Sequence, residues 1–418
     1  MDAPLILRAR VVLPVSESPI EDGAVVVWDG QVSAVGRWSD LAEGVGSANT
    51  VDLGAAILMP GLVNAHCHLD YTDMAGFLPP TSFPHWVKGM LACKAGWSYT
   101  EFAQSWLNGA RMLERSGTTT VANIEAVPEL LPELWTTTPL RVCSFLELTC
   151  VKSRRQASAI LSEAAERIFA LKPERGFMGL SPHALYSTTP EFLELAGELS
   201  RRENWLVTTH VSESSEEFEM VLKAGGAMFE WLKKQRNMSD CGSRTPVQQL
   251  NRCGLLNDRF IAVHANYLQT EDIRALAESG SSVVHCPRSH SYFGYDPFPY
   301  AELSKAGVNV CLGTDSLASV NRVHGNKPEL SMFAEMEVFA ARNPGVSTET
   351  IVRMATRNGA RALGMSGQVG EISHGSFADL VAIPYNGPVS RTWDAVVSTW
   401  RDVSAAMIGG QWVIDPII

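Results

Sequence analysis

From Pro60 onward, apolar runs of strand length recur, separated by stretches whose apolar positions repeat with helical spacing. The runs are Gly61–Leu69, Thr118–Glu125, Leu140–Leu148, Phe177–His183, Trp205–Glu213, Phe260–Leu268, Ser282–Pro287 and Val308–Ser316. Between them lie helix-like stretches over Thr100–Ser116, Gln156–Leu171, Pro190–Arg202, Thr270–Ser279 and Tyr300–Ala306, with a further helix over Thr348–Leu363. Several open on Thr or Pro at a capping position, as in Thr189-Pro190-Glu191 and Thr270-Glu271-Asp272. Eight strand–helix repeats predict an α/β fold, the (β/α)8 TIM barrel.

The two ends of the chain read differently. Arg10–Pro14, Gly23–Trp28 and Gln31–Val35 are short strand patterns, the last two joined by the hairpin signal Asp29-Gly30. Strand patterns return at Gly370-Glu371-Ile372, Ala378–Ile383 and, as a hairpin through Gly409-Gly410, Ala405–Ile414. The expectation is a small composite β-sandwich from residues 1–58 and 366–418, flanking a barrel of residues 59–365. The 418 residues accommodate both parts.

Composition narrows the possible functions. Lys+Arg number 34 against 45 Asp+Glu, a formal net charge of -11 that argues against sequence-independent nucleic-acid binding. The eight cysteines include no C-x-x-C pair and read as small buried hydrophobes in a reducing compartment. No run approaches the roughly 18 uninterrupted apolar residues of a membrane span, and the N-terminus lacks a signal-peptide pattern. A cytoplasmic protein acting on a small molecule is expected, with a homo-oligomer open.

Polar residues concentrate at the strand ends, where barrels of this kind keep their active sites. The first strand ends in His66-Cys67-His68, two imidazoles facing one side of a strand. Strand four ends in Ser181-Pro182-His183-Ala184, strand five in His210-Val211-Ser212-Glu213, strand six in His264-Ala265-Asn266, strand seven in His285-Cys286-Pro287-Arg288 and strand eight in Thr314-Asp315-Ser316. One such residue has a bland structural explanation. Six strands ending this way point to a metal site.

This set of motifs resembles the amidohydrolase superfamily, and within it the branch of ring deaminases and chlorohydrolases that includes S-adenosylhomocysteine deaminase. The likeness extends to the closing Gly375–Leu380. It implies that His66, His68, His210 and Asp315 hold one divalent ion, zinc or iron(II), as three nitrogens and one carboxylate suit either. Relatives with two metals bridge them with a lysine, and strand four here has none, which favours one. Such a cation lowers the pKa of bound water to about 7, and Asp315 and His264 would accept and orient its proton. Glu213 would protonate the ring nitrogen beside the attacked carbon, although its Ser- and Glu-rich surroundings also suit a helix opening.

The resemblance makes His183 a substrate contact. Arg288, in Pro287-Arg288-Ser289-His290, departs from the common pattern and together with Asn64-Ala65-His66 looks closest to aminodeoxyfutalosine deaminases. It is expected either to pair with a substrate carboxylate or to form a surface or fold-stabilising ion pair. Trp86 and Phe83 sit on the loop after the first strand, as an aromatic lid or as packing. The Cys241–Asn251 stretch reads as a loop able to line the pocket, while His85, His290 and His324 receive no role. The leading expectation is a metal-dependent hydrolytic deaminase of a 6-aminopurine nucleoside derivative such as aminodeoxyfutalosine. A hydrolase of a cyclic amide or chlorinated ring is the alternative within enzymes, and a non-catalytic binding protein the alternative outside them.

Overall fold

The computed structural model describes residues 4–42, 50–151, 153, 155–321, 328–399 and 402–416. These contain sixteen strands. In chain order they are β1 (Leu5–Val12), β2 (Ile20–Trp28), β3 (Gln31–Arg37), β4 (Thr50–Asp52), β5 (Ala56–Pro60), β6 (Leu62–Cys67), β7 (Thr118–Glu125) and β8 (Arg141–Leu148). They continue with β9 (Gly176–Pro182), β10 (Val207–Val211), β11 (Phe260–His264), β12 (Ser282–His285), β13 (Asn309–Leu312), β14 (Leu380–Pro384), β15 (Ala405–Ile408) and β16 (Gln411–Ile414).

Strands β6 to β13 pair in sequence order, each parallel to the next, with helices in the connections. The ends of the ladder meet through a parallel bridge between Cys67 and Asp315 and through Thr314 N–H donating to the His66 carbonyl at 3.0 Å. This is the expected barrel. Valine, isoleucine and small residues dominate it, among them Val63, Ile124, Ile261, Val263 and Val284, with Phe145, Cys143, Cys286 and Cys311 inside the same cluster. The remaining strands form one mixed sheet in the order β16-β15-β14-β5-β1-β2-β3, with β4 beside β1. Its middle pair, β5 and β14, joins the two ends of the chain, and β5 runs two residues past the expected boundary at 58.

Local corrections have physical causes. The strands β10, β11 and β13 stop short of their expected ends; Ser212, His264 and Ala265 adopt positive φ (50°, 71° and 50°) where β10 and β11 end, which breaks the extended ladder, and Asp315 does the same (53°) beyond β13. The expected helix Thr348–Leu363 divides into Thr348–Met354 and Arg357–Ala362 at Thr356, whose backbone leaves the helical region. Gly370-Glu371-Ile372 forms no strand; Ile372 N–H makes a single bond to the Pro14 carbonyl. No helix among the described residues is long and apolar enough to cross a membrane.

Candidate active site

The strand ends of the barrel converge as the polar pattern predicts. His66 and His68 leave β6 together, and their Nε2 atoms lie 3.6 and 3.8 Å from Asp315 Oδ1 beyond β13. His210, on β10, brings its Nε2 to 3.3 Å from that of His68. His264, ending β11, stands 5.9 Å from the His66 ring and 5.4 Å from the His210 ring. All five side chains are buried.

The backbone around the cluster is built to hold it. Asn64 donates to Thr314 Oγ1 at 2.7 Å and accepts from Thr314 N–H at 3.0 Å, tying the first barrel strand to the last. Gly313 passes so close that a Cβ there would lie 2.9 Å from His66 Cβ, N and O. The positive φ of His264 and Asp315 turns both residues out of the ladder, an uncommon geometry for non-glycine residues that collects at functional sites. Asp315 is anchored by Ser289 and Ser319, whose hydroxyls donate to its Oδ2 at 2.7 and 3.2 Å.

The donor set fits a divalent cation. His210 Nδ1–H donates to the His183 carbonyl at 2.8 Å, which leaves the Nε2 lone pair turned toward His68. Neither ring nitrogen of His66 has a hydrogen-bond partner, nor has His68 Nδ1 or His264 Nε2. Burial pushes His68 and His264 down to about 3 and His210 well below its ordinary value, so the rings are neutral, as ligation requires. Burial alone would raise the Asp315 carboxyl, but the close approach of the His66, His264 and His68 rings outweighs it and holds the carboxyl well below the ordinary carboxylate range. Ligand atoms of His66, His68 and Asp315 all lie within 4.8 Å of one another, as do those of His66, His210 and His264. Three imidazoles and a carboxylate gathered in this way suit a cation of borderline hardness.

Above the cluster opens a cavity of about 270 Å³. It is lined by His68, His210, Glu213, His264 and Asp315 of the cluster, by the apolar Trp86, Val87, Met90, Trp231 and Leu232, and by the polar group Lys94, Glu147 and His183. Glu213 Oε2 lies 3.7 Å from His264 Nε2. Burial, then the neighbouring Asp315 and Glu217, push the Glu213 carboxyl well above the ordinary range. In the polar group, Glu147 lies 3.4 Å from Lys94 Nζ and 3.6 Å from His183 Nε2. Burial opposes ionisation of Glu147, yet Lys94, His183 and His68 together pull it down to about 2.

A model of the amidohydrolase family matches residues 57–413. The chain belongs to the amidohydrolase family. It is a hydrolase, and the proteins it resembles include deaminases and, in fold, triazine hydrolase. The 5-methylthioadenosine/S-adenosylhomocysteine deaminase of Syntrophobacter fumaroxidans is 29% identical over 94% of this chain and 89% of its own. The enzyme of the same name from Pyrococcus furiosus is 27% identical over 98% and 95%. An adenosine deaminase from Xanthomonas campestris, solved with bound zinc, superposes with a TM-score of 0.86 at 27% identity, covering 98% of this chain and 92% of that one. The Helicobacter pylori aminofutalosine deaminase shares the fold, with a TM-score of 0.85 at 22% identity over 98% and 100%.

In this amidohydrolase three sequence expectations take a different form. Arg288 does not line the cavity. Its guanidinium donates to the Glu329 carbonyl at 2.7 Å and lies 3.7 Å from Glu335, which also accepts the Arg288 N–H. The internal ion pair is what the structure contains. The Cys241–Asn251 stretch is partly helical, because Thr245 and Gln248 form a capping box for the helix Pro246–Arg252, and it lies away from the cavity. Trp86 does line the cavity, but from the helix Phe83–Ala95 rather than a loop, with Phe83 buried beneath it. His85 is an exposed residue paired with Ser82, His290 packs against His285 and Tyr295, and His324 lies outside the described residues. Lys94 and Glu147 drew no notice in the sequence. The strand-end rule applied to strand three, which closes on Glu147-Leu148, would have found the second of them.

Proposed function

We propose that this amidohydrolase is a hydrolytic deaminase of an aminated purine nucleoside, replacing the ring amine by oxygen and releasing ammonia. The observation that carries the proposal is the place of Glu213: a buried carboxyl lining the cavity 3.7 Å from His264 Nε2, its proton affinity raised by burial and by Asp315, set to supply a proton to a ring nitrogen. The names of the most similar relatives support the same substrate class.

His66, His68, His210 and Asp315 would hold one zinc or iron(II), which when bound supplies Lewis acidity and lowers the pKa of water toward neutrality. Asp315 and His264 accept and orient the proton of the attacking water. Glu213 protonates the nitrogen beside the attacked carbon, takes the proton of the new hydroxyl as the carbonyl forms and passes it to the departing amine as the C–N bond breaks, and the proton that Asp315 and His264 took from water restores the Glu213 acid. Trp86 stands where it can cover a planar ring, and His183 where it can contact the rest of the nucleoside. The seating of Arg288 removes the reason for expecting a carboxylate on the substrate, so aminodeoxyfutalosine rests on motif likeness alone.

Ammonia release by the metal-loaded protein across adenosine, methylthioadenosine, S-adenosylhomocysteine, aminodeoxyfutalosine, guanine and cytosine tests the proposal. Turnover of a 6-aminopurine nucleoside is expected. Silence across the nucleosides, with the metal shown to be bound, would reject it in favour of another leaving group.

A further inference from the structure

Between the helix Gly226–Leu232 and the capping box at Thr245, the chain makes an irregular excursion whose centre is a buried charge. The side chains of Arg236 and Asp240 are both fully enclosed there. Arg236 Nη1 donates to Asp240 Oδ1 at 2.7 Å and Nη2 to Oδ2 at 2.5 Å, and Nη1 also donates to the Asn237 carbonyl at 2.7 Å. The third nitrogen reaches out of the excursion. Nε donates to the carbonyls of Leu185 and Thr188, at 3.0 and 2.8 Å, at the two ends of the short turn that follows β9. One side chain thus joins two stretches that line the cavity. The turn after β9 brings His183, Tyr186 and Ser187 to it, and the chain just before Arg236 brings Trp231, Leu232 and Gln235. Arg236 itself stands behind that lining.

We infer that Arg236 is a positioning residue of the substrate cavity: it locks the segment carrying Trp231, Leu232 and Gln235 against the turn carrying Tyr186 and Ser187, and so sets the width of the cavity between them. This rests on reading the cavity as the site of the nucleoside and deepens that reading. Stability alone does not call for a charge at this place. Apolar side chains of similar volume often replace a buried ion pair without loss, and Met228 and Leu232 already bury apolar surface beside it. What a guanidinium adds is direction. Its donors form a rigid planar fork, so Asp240 and two carbonyls 51 and 48 residues upstream are held in one fixed arrangement. An ammonium is a point charge that can neutralise Asp240 but does not reproduce the fork. The other fastenings run elsewhere: Gly242 N–H donates to the Val221 carbonyl at 2.7 Å, and the exposed Lys88 lies 4.7 Å over the Trp231 ring. Among the described residues, the hydrogen bonds crossing from the excursion to the turn after β9 are those of Arg236.

Two variants of the metal-loaded enzyme test this. Arg236→Lys keeps the charge and loses the fork; Arg236→Met combined with Asp240→Leu removes the pair and fills its place with apolar groups. Each should raise KM for a 6-aminopurine ribonucleoside about 10-fold or more, the scale of a misplaced pocket contact, while kcat and metal content stay near those of the wild type. A purely structural role predicts the reverse: an unchanged KM, with kcat falling in step with the folded, metal-bound fraction. That result, or wild-type constants in both variants, would overturn the inference. Failure of both variants to fold would do so too, since the pair would then be a requirement of the fold. Hydrogen exchange read by mass spectrometry needs no substrate. In Arg236→Lys, residues 183–189 and 226–240 should exchange faster together while the barrel strands stay protected. Faster exchange in 226–240 alone would show that the turn after β9 is held by other means and would sink the proposal. Should no nucleoside turn over, the deaminase reading fails and the exchange measurement still decides the role of Arg236.

Discussion

Glu213 carries the proposed proton transfers, and its replacement by glutamine keeps the size and removes the proton. Glu213→Gln is expected to lower kcat by about 10² to 10⁴, the usual contribution of a positioned acid, with metal content by atomic absorption unchanged. Retained turnover would require another acid. A second buried acid, Glu125, makes a stability prediction. It ends β7, accepts from Ser144 Oγ at 2.6 Å and Trp106 Nε1 at 3.3 Å, and is pushed up to about 7 by burial. In the unfolded chain it titrates near the ordinary value, so the folded protein binds the extra proton between the two. Its contribution is therefore full below the ordinary carboxylate range and is lost as pH rises through about 7. Glu125→Gln should flatten the fall of stability between pH 5 and pH 8 by up to about 3 kcal/mol, measured as the pH dependence of urea unfolding. An unaltered slope would mean that Glu125 is ionised throughout. At this scale the histidines were legible because residue type and strand position together name their chemistry. Arg288 was not, since its partners Glu329 and Glu335 are 41 and 47 residues away and only the packed chain brings them near. Glu147 was missed because an acid at a strand end lacks the distinctiveness of a histidine.

Among the elements, the seam between β6 and β13 decides whether the metal-ligand cluster exists. The approach of Gly313 to His66 leaves no room for a methyl group. Gly313→Ala should leave the far-ultraviolet circular dichroism native while weakening zinc binding at least about tenfold, the range seen when groups that orient ligands are disturbed. Competition with a chromogenic chelator measures it, and wild-type affinity would show that the seam yields without moving His66. The strands and most helices were legible here, since a run of apolar residues bounded by caps fixes an element's type. Their ends were not. Nothing in His264-Ala265 or Thr314-Asp315 announces a positive φ, which the surrounding contacts impose on the backbone, and Thr356 breaks its helix for reasons the local pattern does not contain.

Across the whole molecule, one buried ion pair fastens the barrel to the terminal-strand sheet. Arg141, at the start of β8, donates from Nε to Asp379 Oδ2 at 2.6 Å and from Nη2 to Oδ1 at 3.2 Å, with its guanidinium 3.7 Å over the Phe377 ring. Asp379 also accepts the Gly409 N–H at 2.7 Å. Arg141→Met strands the aspartate and should cost about 3–5 kcal/mol in denaturant unfolding, the range for breaking one side of a buried pair. A cost under about 1 kcal/mol would mean that Gly409 alone satisfies Asp379. The pairing of the chain's two ends followed from their shared strand character, whereas their order within one sheet depends on register that short strands do not reveal. That order bears on how the protein is made. Strand β5 leaves the ribosome early, but its neighbour β14 begins at Leu380, more than three hundred residues later. Until then β5, all five of whose residues are buried in the finished molecule, has an unpaired edge, the kind of surface that invites association between nascent chains. Only when Leu380–Pro384 has been made and has paired with β5 is that edge covered and this route to association closed.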